Sequence, residues 1–106
     1  MNEETLVFNV QTPLGFSVHV TRSYWERIVQ LKHPSMRGRE ADVADTLRDP
    51  VEVRRSRKDP DVYLFYKLES PGKWICAVVK RTGYDGFLIT TYVTRSIKEG
   101  AQLWSK

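Results

Sequence analysis

Between residues 51 and 94 the chain reads as four strands in a row, joined by segments too short to do anything but turn it straight back. Residues 51–57, 62–68, 74–81 and 87–94 alternate or run apolar, with β-branched and aromatic enrichment. The connectors Lys58-Asp59-Pro60-Asp61, Ser70-Pro71-Gly72 and Thr82-Gly83-Tyr84-Asp85-Gly86 are built from turn-forming residues. A parallel crossover needs about a dozen residues or more, so these lengths predict an antiparallel meander.

Upstream, Leu6, Phe8 and Val10 alternate, Gln11 to Gly15 supplies turn chemistry, and Phe16, Val18 and Val20 alternate again, which predicts an opening β-hairpin. Ser23-Tyr24-Trp25-Glu26 has capping-box spacing and predicts a helix start. Tyr24, Ile28 and Leu31 recur at helical spacing until Pro34, which restricts His33 and ends the helix at about Lys32 or His33. A second helix over 39–48 places Val43, Ala44 and Leu47 on one side and stops at Asp49-Pro50. Residues 96–104 read as a short capped helix weakened by Gly100. Strand, helix and strand blocks predict an α+β fold: an N-terminal hairpin and two helices packed on a four-stranded antiparallel sheet.

With 106 residues, 41% of them apolar, the chain is expected to form a single domain over 1–106. Its one cysteine, Cys76, lies in an apolar run, reads as core, and leaves no internal disulfide or cysteine-based zinc cluster. That usage, the absence of an apolar stretch of about 20 residues and a start of Met-Asn-Glu-Glu point to a cytoplasmic protein with no membrane partner. The net charge is +4, and Arg54, Arg55, Arg57 and Lys58 crowd around Ser56. Such a cluster is either a solvated strand end or a contact for a polyanion.

Period-two alternation sorts the third long strand into Trp74, Cys76, Val78 and Lys80 on one side and Ile75, Ala77, Val79 and Arg81 on the other. In the last strand Thr90 and Tyr92 oppose Ile89, Thr91 and Val93. Lys80 is then a snorkelling rim residue or a functional cation. Lys80, the basic cluster, His33, Tyr66 and Thr90-Thr91-Tyr92 can meet at one end of the meander. These residue types match RNA cleavage through the neighbouring 2′-hydroxyl, which needs a base, a cation for the phosphorane charge and an acid for the leaving oxygen. His33 is the titrating candidate, unless it merely caps its helix. His19, between Val18 and Val20, reads as an outward-facing strand residue. Asp42 and Asp45 read as a solvated helix face, and no metal or cofactor is expected, since no Walker loop, dinucleotide fingerprint or nucleophile elbow occurs.

A helix ending in His33-Pro34, then Leu47-Arg48-Asp49-Pro50, a strand reaching Arg55-Ser56, Tyr63-Leu64-Phe65-Tyr66-Lys67, Val78-Val79-Lys80 and Leu88-Ile89-Thr90-Thr91-Tyr92 follow in an order that resembles the phage-type barnase-EndoU-colicin-RelE nuclease group, within the RelE-like toxin superfamily. The resemblance covers roughly residues 16 to 94 and rests on the order of short, tolerant pieces. It implies helices before a four-stranded antiparallel sheet, a metal-independent, toxin-like endoribonuclease, and RNA and a cognate antitoxin or immunity protein as partners. By position it nominates His33, Arg55, Ser56, Lys80 and Thr90 as catalytic. Arg54, Arg57, Lys58, Tyr66 and Tyr92 are then the expected RNA contacts. The competing readings are a non-catalytic RNA- or protein-binding module on the same fold, and an interaction protein that pairs through an edge strand.

Overall fold

Both ends of the chain join the central meander edge to edge, giving one seven-stranded sheet in the computed structural model, which describes residues 5–97 and 100–106. The strands are β1 Leu6–Gln11, β2 Ser17–Thr21, β3 Glu52–Arg55, β4 Val62–Ser70, β5 Lys73–Thr82, β6 Asp85–Thr94 and β7 Ala101–Ser105. Their order across the sheet is β1-β2-β6-β5-β4-β3-β7. Helix α1 (Arg22–Arg27), a π turn (Ile28–Lys32), a 3-10 turn (Pro34–Met36) and helix α2 (Glu40–Arg48) connect β2 to β3.

This architecture corrects the expected four-stranded antiparallel sheet carrying a hairpin and two helices. Strands β3 to β6 do pair antiparallel in sequence order. The hairpin, however, extends the same sheet: β2 lies parallel to β6 through Ser17–Asp85, Val18–Gly86 and His19–Phe87, which makes the sheet mixed. The free edge of β6 supplies the hydrogen-bond partners that an isolated two-stranded hairpin lacks, and Val18 and Val20 become 0% and 2% exposed. The expected C-terminal helix is also corrected. Residues 98 and 99 lie outside the described residues, and Ala101–Ser105 forms β7 against β3. Gly100 permits this, because a Cβ there would stand 2.3 Å from the Arg55 carbonyl oxygen.

One face of the sheet is covered. Trp25, Ile28 and Val29, then Met36, then Val43, Ala44 and Leu47 bury against Val53, Phe65, Ile75, Ala77, Val79 and Leu88. Each large side chain removed from water there contributes roughly 1.5–3 kcal/mol. The α1 cap is Thr21 rather than Ser23: its hydroxyl accepts from the Tyr24 N–H at 3.2 Å, so the helix starts earlier than the capping-box spacing implies. No helix among the described residues is long and apolar enough to cross a membrane.

Two irregularities shape the opposite face. The β5–β6 register slips so that Val78 faces Thr90 while Val79 faces Leu88, leaving Ile89 as a bulge. The Tyr24 hydroxyl donates to the Ile89 carbonyl at 3.0 Å and holds the bulge in place. The second is the π turn: the His33 N–H reaches back five residues to the Ile28 carbonyl at 2.8 Å, rotating His33 away from the position a continued α-helix would give it.

Candidate functional site

Reading across the uncovered face, the paired positions form rows. Glu52, Tyr66, Cys76 and Tyr92 make one, Arg54, Leu64, Val78 and Thr90 the next, and Val62, Lys80 and Phe87 a third. Leu64, Tyr66 and Cys76 are buried under Val51, Trp74, Val78, Tyr92 and Ile97. Beside this small apolar patch opens a cleft of about 410 Å³, with Val62, Leu64 and Val78 as floor, Thr90 and Tyr92 as one wall, and Ser56, Arg57 and Lys58 as the other.

The cleft brings together groups of unlike chemistry. The Thr90 hydroxyl oxygen is buried and has no hydrogen-bond partner among the described residues, although buried polar atoms are nearly always satisfied. The bulge at Ile89 is what turns Thr90 to this side. The Lys58 N–H donates to the Ser56 hydroxyl at 3.2 Å, which folds the loop over the rim. The Lys58 ammonium forms no ion pair among the described residues. The His33 ring stands 5.3 Å from the Tyr92 ring, centroid to centroid. Burial, and then the neighbouring Lys32 charge, hold the imidazole below its ordinary pKa, so it is neutral at pH 7 and able to accept a proton. Burial, reinforced by Cys76, pushes the Tyr92 phenol well above its ordinary value, so it stays protonated.

Several residues singled out in the sequence are placed otherwise. Lys80 shares the open face, but its ammonium is 2.9 Å from the Asp59 carboxylate. Their hydrogen bond raises the lysine and lowers the aspartate, so Lys80 is a compensated cation. Arg55 follows Val53 onto the covered side, with its guanidinium over the Tyr63 ring at 5.6 Å, and does not join the cleft. Arg54 is held by the Glu52 carboxylate and, at 3.1 Å, the Gly100 carbonyl. Tyr66 is 0% exposed, so its ring packs and is closed to a stacking base. Cys76 is buried, as its apolar run implies. His19 lies 3.5 Å from Asp85, beside a separate cleft of about 250 Å³. Asp42 and Asp45 pair with Arg39 and Arg48 at 2.9 and 2.8 Å, and no group of three or more metal-ligating side chains occurs among the described residues.

Of the ten residues named as catalytic or RNA-contacting in the sequence, the cleft gathers Ser56, Arg57, Lys58, Thr90 and Tyr92, with His33 against Tyr92. Sequence reasoning missed Arg81 as a partner of Tyr63. Alternation placed Arg81 on the side of Ile75, Ala77 and Val79, and the same rule applied to Val53 would have sent Arg55 there too.

In comparisons with known proteins, no family model matches the chain, and no curated protein or solved structure is significantly similar to it.

Proposed function

We propose that the open face binds RNA and cleaves it by attack of a 2′-hydroxyl on the adjacent phosphate, in the manner of the RelE-like nucleases that the sequence resembles. One observation carries this reading: an unpartnered buried hydroxyl, that of Thr90, faces the same cleft as the basic Ser56, Arg57 and Lys58 loop, with a neutral His33 beside Tyr92. His33 takes the 2′-hydroxyl proton as O2′ bonds to phosphorus. Lys58 and Arg57 offset the developing phosphorane charge, and Thr90 donates a hydrogen bond to a non-bridging oxygen. The P–O5′ bond then breaks, O5′ takes a proton from water at the open cleft, the hydroxide so formed is neutralised by the proton that His33 carries, and a 2′,3′-cyclic phosphate remains. Tyr92 stays protonated and positions the sugar or base against the cleft wall. The roles first assigned to Lys80 and Arg55 pass to Lys58 and Arg57. A host tolerates such an activity only with an inhibitor, so a small antitoxin or immunity protein is the expected protein partner.

The test is incubation of labelled RNA with purified protein in EDTA, beside folded His33→Ala and Thr90→Val variants. Products with cyclic phosphate ends that disappear with His33→Ala support the reading. The pairing of Lys80 with Asp59 and the loss of Arg55 from the cleft favour a second reading, an RNA-binding module without chemistry. Salt-dependent RNA binding with intact RNA at every pH tested would establish it.

A further inference from the structure

On the helix-covered side, at the end of the sheet where the 12–16 and 82–85 turns lie, two arginines converge on one tyrosine. The Arg55 Nη2 donates to the Tyr63 hydroxyl at 3.5 Å, and its guanidinium lies 5.6 Å from the Tyr63 ring centroid. The Arg81 guanidinium lies 4.6 Å from the Phe16 centroid and 5.9 Å from that of Tyr63, and its Nε donates to the Gly83 carbonyl at 2.7 Å. Phe16 and Tyr63 are buried and meet edge to face at 5.4 Å, so both cations stand on a rigid aromatic platform.

What this pair lacks is a counterion. Arg22, Arg37, Arg39, Arg48 and Arg54 each reach a carboxylate, whereas among the described residues Arg55 and Arg81 have none. Two guanidiniums held close to one hydroxyl repel each other, and without an anion that cost is uncompensated. The Arg55 Nε is also buried without an acceptor among the described residues. Burial pushes the Tyr63 phenol up, but hydrogen bonds from Arg55 and Arg81, and their charges, outweigh it and hold the phenol below its ordinary value. The Tyr63 oxygen accepts from Arg55, which leaves its own hydrogen to donate to a ligand.

We infer that Arg55, Arg81 and the Tyr63 hydroxyl form a phosphoryl-binding site on the face opposite the cleft. Two planar forks and a hydroxyl offer more donors than a carboxylate can accept, whereas the oxygens of a phosphoryl group can take them together. The aromatic platform fixes both cations before the ligand arrives, so little side-chain ordering remains to oppose binding. The site uses none of the cleft residues and stands whether or not the cleft cleaves RNA.

The experiment is an NMR titration of the full chain with inorganic phosphate at constant ionic strength, following the Nε–H signals of Arg55 and Arg81, with chloride and acetate as comparisons. Saturable shifts at both arginines are expected with phosphate only. Arg81→Gln should weaken binding by about tenfold or more, since one charge-assisted donor set is lost. Tyr63→Phe keeps the ring and its packing and should weaken it several-fold; it serves where Arg81→Gln disturbs folding. A short RNA without terminal phosphates, added to the His33→Ala protein, identifies the source: shifts with both ligands mean that backbone phosphates are accepted, and shifts with inorganic phosphate alone mean a free phosphate or small phosphoester. Unsaturated shifts, shifts equal in acetate, or unchanged affinity in both folded variants would overturn the site.

Discussion

Thr90 and Thr91 are neighbours on one strand and face opposite sides of the sheet. Thr91 is buried under the helices, and its hydroxyl donates to the Cys76 carbonyl at 2.8 Å. Thr90 is half-buried on the uncovered side, and its hydroxyl oxygen, itself buried, has no partner among the described residues. Around these two threonines the faces differ in the same way. The covered face is a continuous apolar layer in which the polar group closes a hydrogen bond within the protein. The open face has a small apolar patch, and beside it the Thr90 hydroxyl is left unsatisfied among the described residues. A valine at 90 would fill the same space without an orphaned hydroxyl, so the hydroxyl is best understood through what enters the cleft.

The contrast breaks most readily at the core. Phe65→Ala should cost about 3–5 kcal/mol in urea denaturation, because Phe65 is wholly buried and stacks edge-on with Phe16, whereas Leu64→Ala on the open face should cost about 2 kcal/mol. Equal losses would mean that the open face is core as well. Next in size, His33→Ala should reduce RNA cleavage by about 100-fold or more while the thermal midpoint stays close to that of the wild type. In the wild type the acidic limb of the pH–rate profile should lie below the ordinary histidine pKa of about 6.5, because His33 is shifted down. The same shift makes stability complete above that value and lost as pH falls through the folded pKa, which a urea midpoint series against pH would record.

A finer division comes from the paired threonines. Thr90→Val should lower cleavage about tenfold with stability unchanged or slightly higher, and Thr91→Val should cost about 1–2 kcal/mol with cleavage intact; the opposite pattern would exchange their roles. The smallest effect belongs to the Lys80–Asp59 pair, whose side chains are 37% and 38% exposed. Asp59 is lowered, so its contribution is present above the unfolded aspartate pKa and lost as pH falls through the folded one. Lys80 is raised, so its share is lost as pH rises through its folded value. Urea midpoints of wild type and Asp59→Asn should converge at the acid end and differ little at neutral pH.

The sequence made the meander legible, because short connectors dictate nearest-neighbour pairing and alternation sorted Trp74, Cys76, Val78 and Lys80 from Ile75, Ala77 and Val79. It did not disclose which strands lie beside β6 and β3. Those pairings join distant residues, and no local pattern encodes them. Residues 101–105 carry few strand-forming side chains and become a strand by adding to the edge of β3. The candidate cleft was legible as a set of residue types, with Thr90 and Tyr92 on the correct face. The bulge at Ile89 and the π turn before His33, which aim those groups, are backbone events with no residue signature here. Lys80 appeared available only because its partner, Asp59, sits in a turn that reads simply as a loop.

The parallel joint between β2 and β6 sets the order in which a nascent chain can complete the sheet. Ser17, Val18 and His19 find their pairing partners only at Asp85, Gly86 and Phe87. Until the ribosome has released the chain through Phe87, the β1–β2 hairpin has no edge of β6 to dock on and its valines stay in water. Folding is therefore gated by a late, long-range closure, which places it among slow, high-contact-order reactions rather than fast local ones. During synthesis, shielding of the first strands falls to whatever binds exposed apolar β segments, and the protein's yield in a cell should follow that protection more closely than its final stability.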